Sequence, residues 1–235
     1  MKKRVWELDA LRGICILGMV VVHFVYDLVD LYRVVEWEYP ALFSFVKDWG
    51  GVLFLLISGI CATLGSRSVR RGLIVMACGL VVSAVTVGMY LLDMAGKGII
   101  IYFGVLHCLG ACMILWFVLK HLPTWALGLG GAAMVAVGLW LRHQVFSFSY
   151  LIWMGFMYPG FSSSDYFPLL PYLGFFLIGA FLGRTLYKNK ETLLPKVNEQ
   201  NPVLRFFLAC GKHSLLIYML HQPILSLLVQ VIALL

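Results

Sequence analysis

Apolar runs of about twenty residues alternate with short polar breaks along this chain, the pattern of helices that cross a bilayer. The runs predict spans at about Leu8–Leu31, Ala41–Gly65, Gly72–Leu92, Ile99–Leu119, Trp125–Leu141 and Tyr166–Tyr187. A last apolar stretch, about Pro202–Leu235, is longer than a bilayer needs. It divides into an interfacial piece, Pro202–Cys210, and a seventh span from about Gly211. KNKETLLPKVNEQNP is the one polar linker and is too short to be a domain, while Gln144 to Asp165 reads as an external loop with an aromatic belt. The expected fold is all-α: a polytopic integral membrane helical bundle of about seven transmembrane helices, with an interfacial helix before the last span. A single domain over residues 1–235 is expected.

The polar residues inside the first run change that picture. DALRGICILGMVVVHFVYDLVD carries Arg12, His23, Asp27 and Asp30. At 100° per residue His23 falls about 20° from Arg12 around the helix, Asp30 about 0° and Asp27 about 60°. Each such group costs roughly 2.5–3.5 kcal/mol at the bilayer centre, so the stripe must face protein, water or substrate. Snorkelling at the two interfaces is the structural alternative for Arg12 and Asp30.

Composition agrees with a membrane chain: 62% of residues are hydrophobic and 12% charged, against about 25% charged in soluble domains. The formal charge of +7 does not point to nucleic acid, because the cations gather in short alternate loops. MKKR, the cluster Arg67, Arg70 and Arg71, then Lys120, then Arg184, Lys188, Lys190 and Lys196 put the N-terminus in the cytoplasm and the C-terminus outside, with Arg142 a mild exception. MKKR before an apolar run is also how a signal peptide begins, but the run is too long and no small-residue cleavage site follows, so an uncleaved first span is expected. The six cysteines all lie in apolar segments; no structural disulfide and no metal site is expected.

Further polar residues sit where lipid is expected. His107 lies mid-span in GVLHCLG, with a neutral, helix-bonded histidine as the structural alternative. GKHSLLIYMLHQP places Ser214, Tyr218 and His221 near one helix face. Pro223 frees a carbonyl near position 219, which Gln222 or a neighbour can satisfy. Three intramembrane histidines with a nearby aspartate exceed what packing requires, and histidine is the side chain that exchanges protons near neutral pH. Asp48 stands at the mouth of the second span, and Asp165 suits either the N-cap of the sixth span or an acceptor hydroxyl.

At LDALRGICILGMVVVHF the chain resembles the transmembrane acyltransferases of the heparan-α-glucosaminide N-acetyltransferase type, particularly their short bacterial members. The other carriers are DWGGVLFLLISG (Asp48 to Gly59), FGVLHCLG (Phe103 to Gly110), DYFPLLPYLG (Asp165 to Gly174) and GKHSLLIYMLHQP (Gly211 to Pro223). The Arg12-to-His23 spacing and HSLLIYMLHQP are also similar to the wider family-three membrane acyltransferases, which O-acetylate cell-surface glycans. The resemblance implies transfer of an acyl group, usually acetyl, from cytoplasmic acyl-CoA to an acceptor at the outer face. It makes His23 the base or transient acyl carrier and has Arg12 help hold the donor. The sugar-acetylating relatives carry a loop histidine shortly before the aspartate matching Asp48, and often an asparagine at the place of His23. This chain offers Glu36 and Glu38 in that loop instead.

The candidate catalytic residues are therefore His23, Asp27, His107 and His221; Arg12, His213, Ser214 and Tyr218 are candidates for the donor, and Asp48 and Asp165 for the acceptor. Asp27, one turn from His23, is expected to orient its imidazole. The expected donor is acetyl-CoA or another acyl-CoA, with no metal. Expected partners are the lipid bilayer, acyl-CoA and a glycan or amino-sugar acceptor, with no nucleic acid and a homodimer left open. The expected location is the bacterial cytoplasmic membrane. The competing reading is a small proton-coupled transporter with an intramembrane histidine relay. The absence of an evident inverted repeat and the one-sided clustering of cations favour the enzyme.

Overall fold

A computed structural model describes residues 5–234; the cationic MKKR start thus lies outside the described residues. The helices are α1 (Trp6–Tyr26, continued by a π-helical turn Asp27–Leu31), α2 (Ala41–Leu64), α3 (Ser68–Leu91), α4 (Val105–Leu119), α5 (Thr124–Leu141), α6 (Leu169–Leu186), α7 (Pro202–Lys212) and α8 (Ser214–Ala233). Among the described residues 6 helices are long and apolar enough to cross a membrane, and Val105–Leu119 is a shorter apolar one. The protein is an all-helical, multi-pass membrane bundle. It has two compact units, Met1–Phe54 with Lys190–Leu235 and Leu55–Asn189, and the polypeptide passes from one to the other within α2.

In the first unit α7 lies against the start of α1 through two glycines. A Cβ on Gly211 would overlap the backbone carbonyl of Asp9, and one on Gly13 would overlap that of Phe207. Trp6, Ala10 and Leu208 close the contact, with Leu204 packed against them. Asn201 caps α7 by accepting from the Val203 and Leu204 amides (2.9 and 3.4 Å), and Pro202 takes the first helical position, where a missing N–H costs nothing. The polar linker is tied down by Glu7, a buried carboxylate that accepts from Thr192 Oγ1 (2.7 Å) and the Leu193 amide (2.8 Å). Further along, α8 runs beside α1 in the same direction: His23 meets His221, Asp27 meets Gln222, and Gln230 donates to Tyr32 at 3.0 Å.

In the second unit helix pairs also meet at glycines. Gly72 and Gly110 join α3 to α4, Gly131 and Gly174 join α5 to α6, and Gly59 and Gly179 join α2 to α6; at each a Cβ would strike the partner's backbone. Small residues allow this close approach where lipid offers no hydrophobic driving force between helices. Trp116 donates its indole N–H to Ala62 O (3.1 Å). Arg184 on α6 donates to the carbonyls of Leu122 (2.7 Å) and Lys120, satisfying the end of α4, and stacks over Trp116.

Two expected boundaries are corrected. The fourth span does not begin at Ile99: Lys97–Ile99 is a single 3-10 turn, the chain then runs extended, and α4 starts only at Val105. The extended piece is satisfied by the long loop, with Phe103 bridging Tyr166, the Phe167 amide donating to Phe103 O (2.9 Å), and Ser163 and Ser164 donating to Ile100 O and Ile99 O. Non-helical backbone at such a place requires partners from the protein, and the loop supplies them. The sixth span begins later than Tyr166, since Pro168 precedes α6 and Leu170 is extended (φ −101, ψ 120). Pro171 sets this break, because a residue before proline is pushed out of the helical region.

Candidate functional site

The intramembrane polar residues of the first unit converge where α1 and α8 run side by side. The His23 and His221 rings meet edge to face with centroids 4.9 Å apart. One turn on, Asp27 is fully buried and accepts from Gln222 Nε2 through both carboxylate oxygens (3.0 and 2.9 Å). This differs from the expectation in two respects. Asp27 is held by Gln222 rather than orienting His23. Gln222, bonded to Asp27 through its amide nitrogen, does not donate to the carbonyl that Pro223 leaves free; its own Oε1 is buried without a partner. Asp30 leaves the stripe as well. The π turn, closed by the Tyr32 amide on Asp27 O (2.9 Å), holds one residue more than an α turn and rotates Asp30 off the face it would share with Arg12. Asp30 is exposed and accepts from the Tyr39 hydroxyl at 2.6 Å. Burial and that hydrogen bond push the Tyr39 phenol up to about 12, so it stays the donor.

His221 is buried, and its Nδ1 lies 2.5 Å from the Tyr218 carbonyl oxygen. A carbonyl only accepts, so Nδ1 carries the proton and Nε2 holds a lone pair. That Nε2 is buried with no hydrogen-bond partner, as is Nε of Arg12 nearer the start of α1. Of the remaining candidates in this unit, His213 is exposed at the break between α7 and α8, Ser214 is half-buried, and Asp48 is exposed on α2. Beyond the end of α1, Asp30, Arg33, Glu36, Trp37 and Glu38 line a cavity of about 460 Å³.

His107 and Asp165 belong to the second unit, where both bond backbone amides at the start of α4. His107 is not mid-span but in the first turn of α4. Its Nδ1 accepts from the Gly104 amide (3.3 Å), so Nε2 bears the proton and faces Ser83 Oγ at 3.4 Å, whose own hydrogen goes to Ile101 O (2.6 Å). Both ring nitrogens are thereby engaged in shaping the start of α4. Asp165 caps α4 rather than the helix that follows it in sequence, accepting from the Val105 amide at 3.0 Å. Gly104 makes room, since a Cβ there would collide with the Asp165 carboxylate. Asp165→Ala is expected to cost about 0.5–2 kcal/mol, the usual worth of a lost N-cap. The thermal midpoint of the detergent-solubilised variant checks this, and an unchanged midpoint would show the cap to be dispensable.

Two roles of weight escaped sequence reasoning. Gln222 holds the buried Asp27, and its only signal was its place inside HQP; Glu7, inside WELDALRG, anchors a linker 185 residues away and gave none.

Residues 4–223 match the family model of the heparan-alpha-glucosaminide N-acetyltransferase catalytic domain. The chain belongs to that family. It is accordingly a membrane protein of an N-acetyltransferase family, and the matched span contains every helix up to the His221–Gln222–Pro223 step of α8. No curated protein and no solved structure matches the chain.

Proposed function

We propose that this family member transfers an acetyl group from cytoplasmic acetyl-CoA to an amine or hydroxyl of a cell-envelope glycan or amino sugar at the outer face of a bacterial inner membrane. The reading assigns one transferase activity to the whole chain, with the N-terminus cytoplasmic. The observation that carries it is the pair of imidazoles, His23 and His221, held ring to ring inside a membrane helix pair of an N-acetyltransferase family.

Acyl transfer from a thioester needs a base within hydrogen-bond reach of the acceptor N–H or O–H, about 2.6–3.2 Å. A paired imidazole in a water-poor site suits that task. Arg12 suits the donor: its buried, unpartnered Nε is a cationic hydrogen-bond donor awaiting an anion or carbonyl, and CoA carries both. Eleven residues separate Arg12 from His23, about 16 Å of helix, a distance a pantetheine arm can bridge. His213 and Ser214, at the break before α8, are assigned to the same donor end, with Tyr218 between them and His221. The exposed Asp48 is assigned to the acceptor side, whereas His107 and Asp165 are assigned to the architecture of α4.

The test is incubation of the purified protein with acetyl-labelled acetyl-CoA, first alone and then with glucosamine as the probe acceptor. The expected results are a rise in thermal midpoint with acetyl-CoA and label appearing in N-acetylated product. Absence of both would overturn the reading, and a substrate flux in proteoliposomes without any transfer would put a transporter in its place.

A further inference from the structure

We infer that His221, through its Nε2, is the base that takes the acceptor's proton, and that the Tyr218 carbonyl fixes the tautomer that makes this possible. The assignment rests on the acetyltransferase reading above and decides between the two paired imidazoles. It begins from an imbalance in the hydrogen-bond pattern. A buried acceptor without a donor loses its hydration and gains nothing in return, so such atoms are rare and point to a missing partner. Among the described residues of the first unit three side-chain polar atoms stand buried and unpartnered: Arg12 Nε, His221 Nε2 and Gln222 Oε1. Arg12 Nε is a donor. The other two are acceptors on consecutive residues of α8, and what they lack is an N–H or O–H.

His221 is more than nine-tenths buried, with 8% of its surface exposed. Its Nδ1–H is committed to Tyr218 O at 2.5 Å. That bond leaves the lone pair on Nε2, aligns the ring, and stabilises the positive charge that develops when Nε2 is protonated. His23 has no comparable support. It makes no hydrogen bond among the described residues, so nothing decides which of its nitrogens carries the proton. Its ring packs against that of His221 and acts as a wall. From α1 the ionisable group that meets His221 is His23, and the Tyr218 ring lies against it with centroids 5.3 Å apart; Asp27, one turn beyond His23, is bonded to Gln222. From α7, Lys212 and His213 stand about two turns away, at the start of α8.

The step balances as follows. The acceptor amine attacks the thioester carbonyl; the C–N bond forms and one amine proton moves to His221 Nε2. The C–S bond then breaks with its electron pair leaving on sulfur, and the imidazolium returns the proton to that thiolate. The products are the N-acetylated acceptor and CoA–SH, with His221 again neutral and protonated on Nδ1. The same reading assigns Gln222 Oε1, the neighbouring orphaned acceptor, to the second amine hydrogen, while its amide nitrogen remains anchored on Asp27.

Two measurements on the full-length protein in detergent micelles test the assignment. Histidine ¹⁵N spectra, with the His221 signal identified by its loss in His221→Gln, are expected to show a proton on Nδ1 and a bare Nε2. With acetyl-CoA and glucosamine, His221→Gln is expected to lower kcat by about 10²–10⁴-fold, the usual worth of a general base, while acetyl-CoA still raises the thermal midpoint. A His221 resonance protonated on Nε2, identified by its loss in His221→Asn where His221→Gln does not fold, would overturn the assignment. So would a folded His221→Gln protein that turns over within about tenfold of the parent. Either result sinks the assignment alone; no transfer by the unaltered protein sinks the acetyltransferase reading and the assignment with it.

Discussion

Gly211→Leu should yield no stably folded protein, whereas Gly18→Ala, on the first helix, should be nearly silent. At Gly211 even the first side-chain carbon has nowhere to go. A Cβ would overlap Asp9 O and stand 2.7 Å from the carbonyl carbon of Asp9 and 3.1 Å from the Gly13 amide nitrogen. These are backbone atoms of α1, which cannot rotate aside as a side chain can. Overpacking a core costs about 1–3 kcal/mol when neighbours yield, and the rigid obstacle here places the loss at or above about 3 kcal/mol. Nothing lies within 4 Å of a Cβ at Gly18, so Gly18→Ala should change stability by no more than about 1 kcal/mol. Size-exclusion behaviour and thermal midpoint of both variants in detergent measure this. A Gly211→Leu protein that elutes and melts like the parent would mean that α7 does not press on α1 at this point, and the close crossing would have to be withdrawn.

Arg12→Leu should have the opposite profile, a stable protein that no longer holds its donor. The guanidinium Nε is buried without a partner, and burying an unpaired donor costs about 1–3 kcal/mol, so its removal should leave the thermal midpoint unchanged or higher. Hydrogen bonds to charged groups contribute about 1.5–3 kcal/mol, so acetyl-CoA should bind about 10–100-fold more weakly. Arg12→Lys should fall between, since an ammonium keeps the charge but loses the planar fork. Titration calorimetry with acetyl-CoA alongside thermal melts separates the two effects. Unaltered affinity in Arg12→Leu would remove Arg12 from the donor site; a collapse in stability would show that the orphaned nitrogen is not a strained feature of the resting protein.

The two residue classes behind these predictions were legible to different degrees. Gly13 and Gly211 stood in the quoted motifs LDALRG and GKHSLLIYMLHQP, and a small residue in an apolar helix is a known contact signal, but nothing in the linear chain paired them. Asp165 read as a cap for the helix after it because N-capping is usually local; here Gly104, far back in the chain, leaves the gap that the carboxylate enters. His107 read as mid-span because the apolar run continues upstream of it. Hydropathy does not distinguish an extended segment supplied with hydrogen bonds by a loop from a helix that supplies its own.

By itself the sequence determined the class of protein and the number of apolar helices to within the short fourth one. Those properties depend on runs of local hydrophobicity and on where charge interrupts them, which the solvent reads segment by segment. It also placed the break between α7 and α8 within three residues, because amphipathic and wholly apolar stretches differ locally. Only the tertiary structure decided which polar side chains meet. The π turn at Asp27 rotated Asp30 off the stripe, and α8 delivered Gln222 to Asp27 and His221 to His23 across a separation of nearly two hundred residues. A hydrogen-bond partner is a matter of a few tenths of an ångström between helices, and helical periodicity fixes direction around one helix axis while leaving its neighbour unspecified.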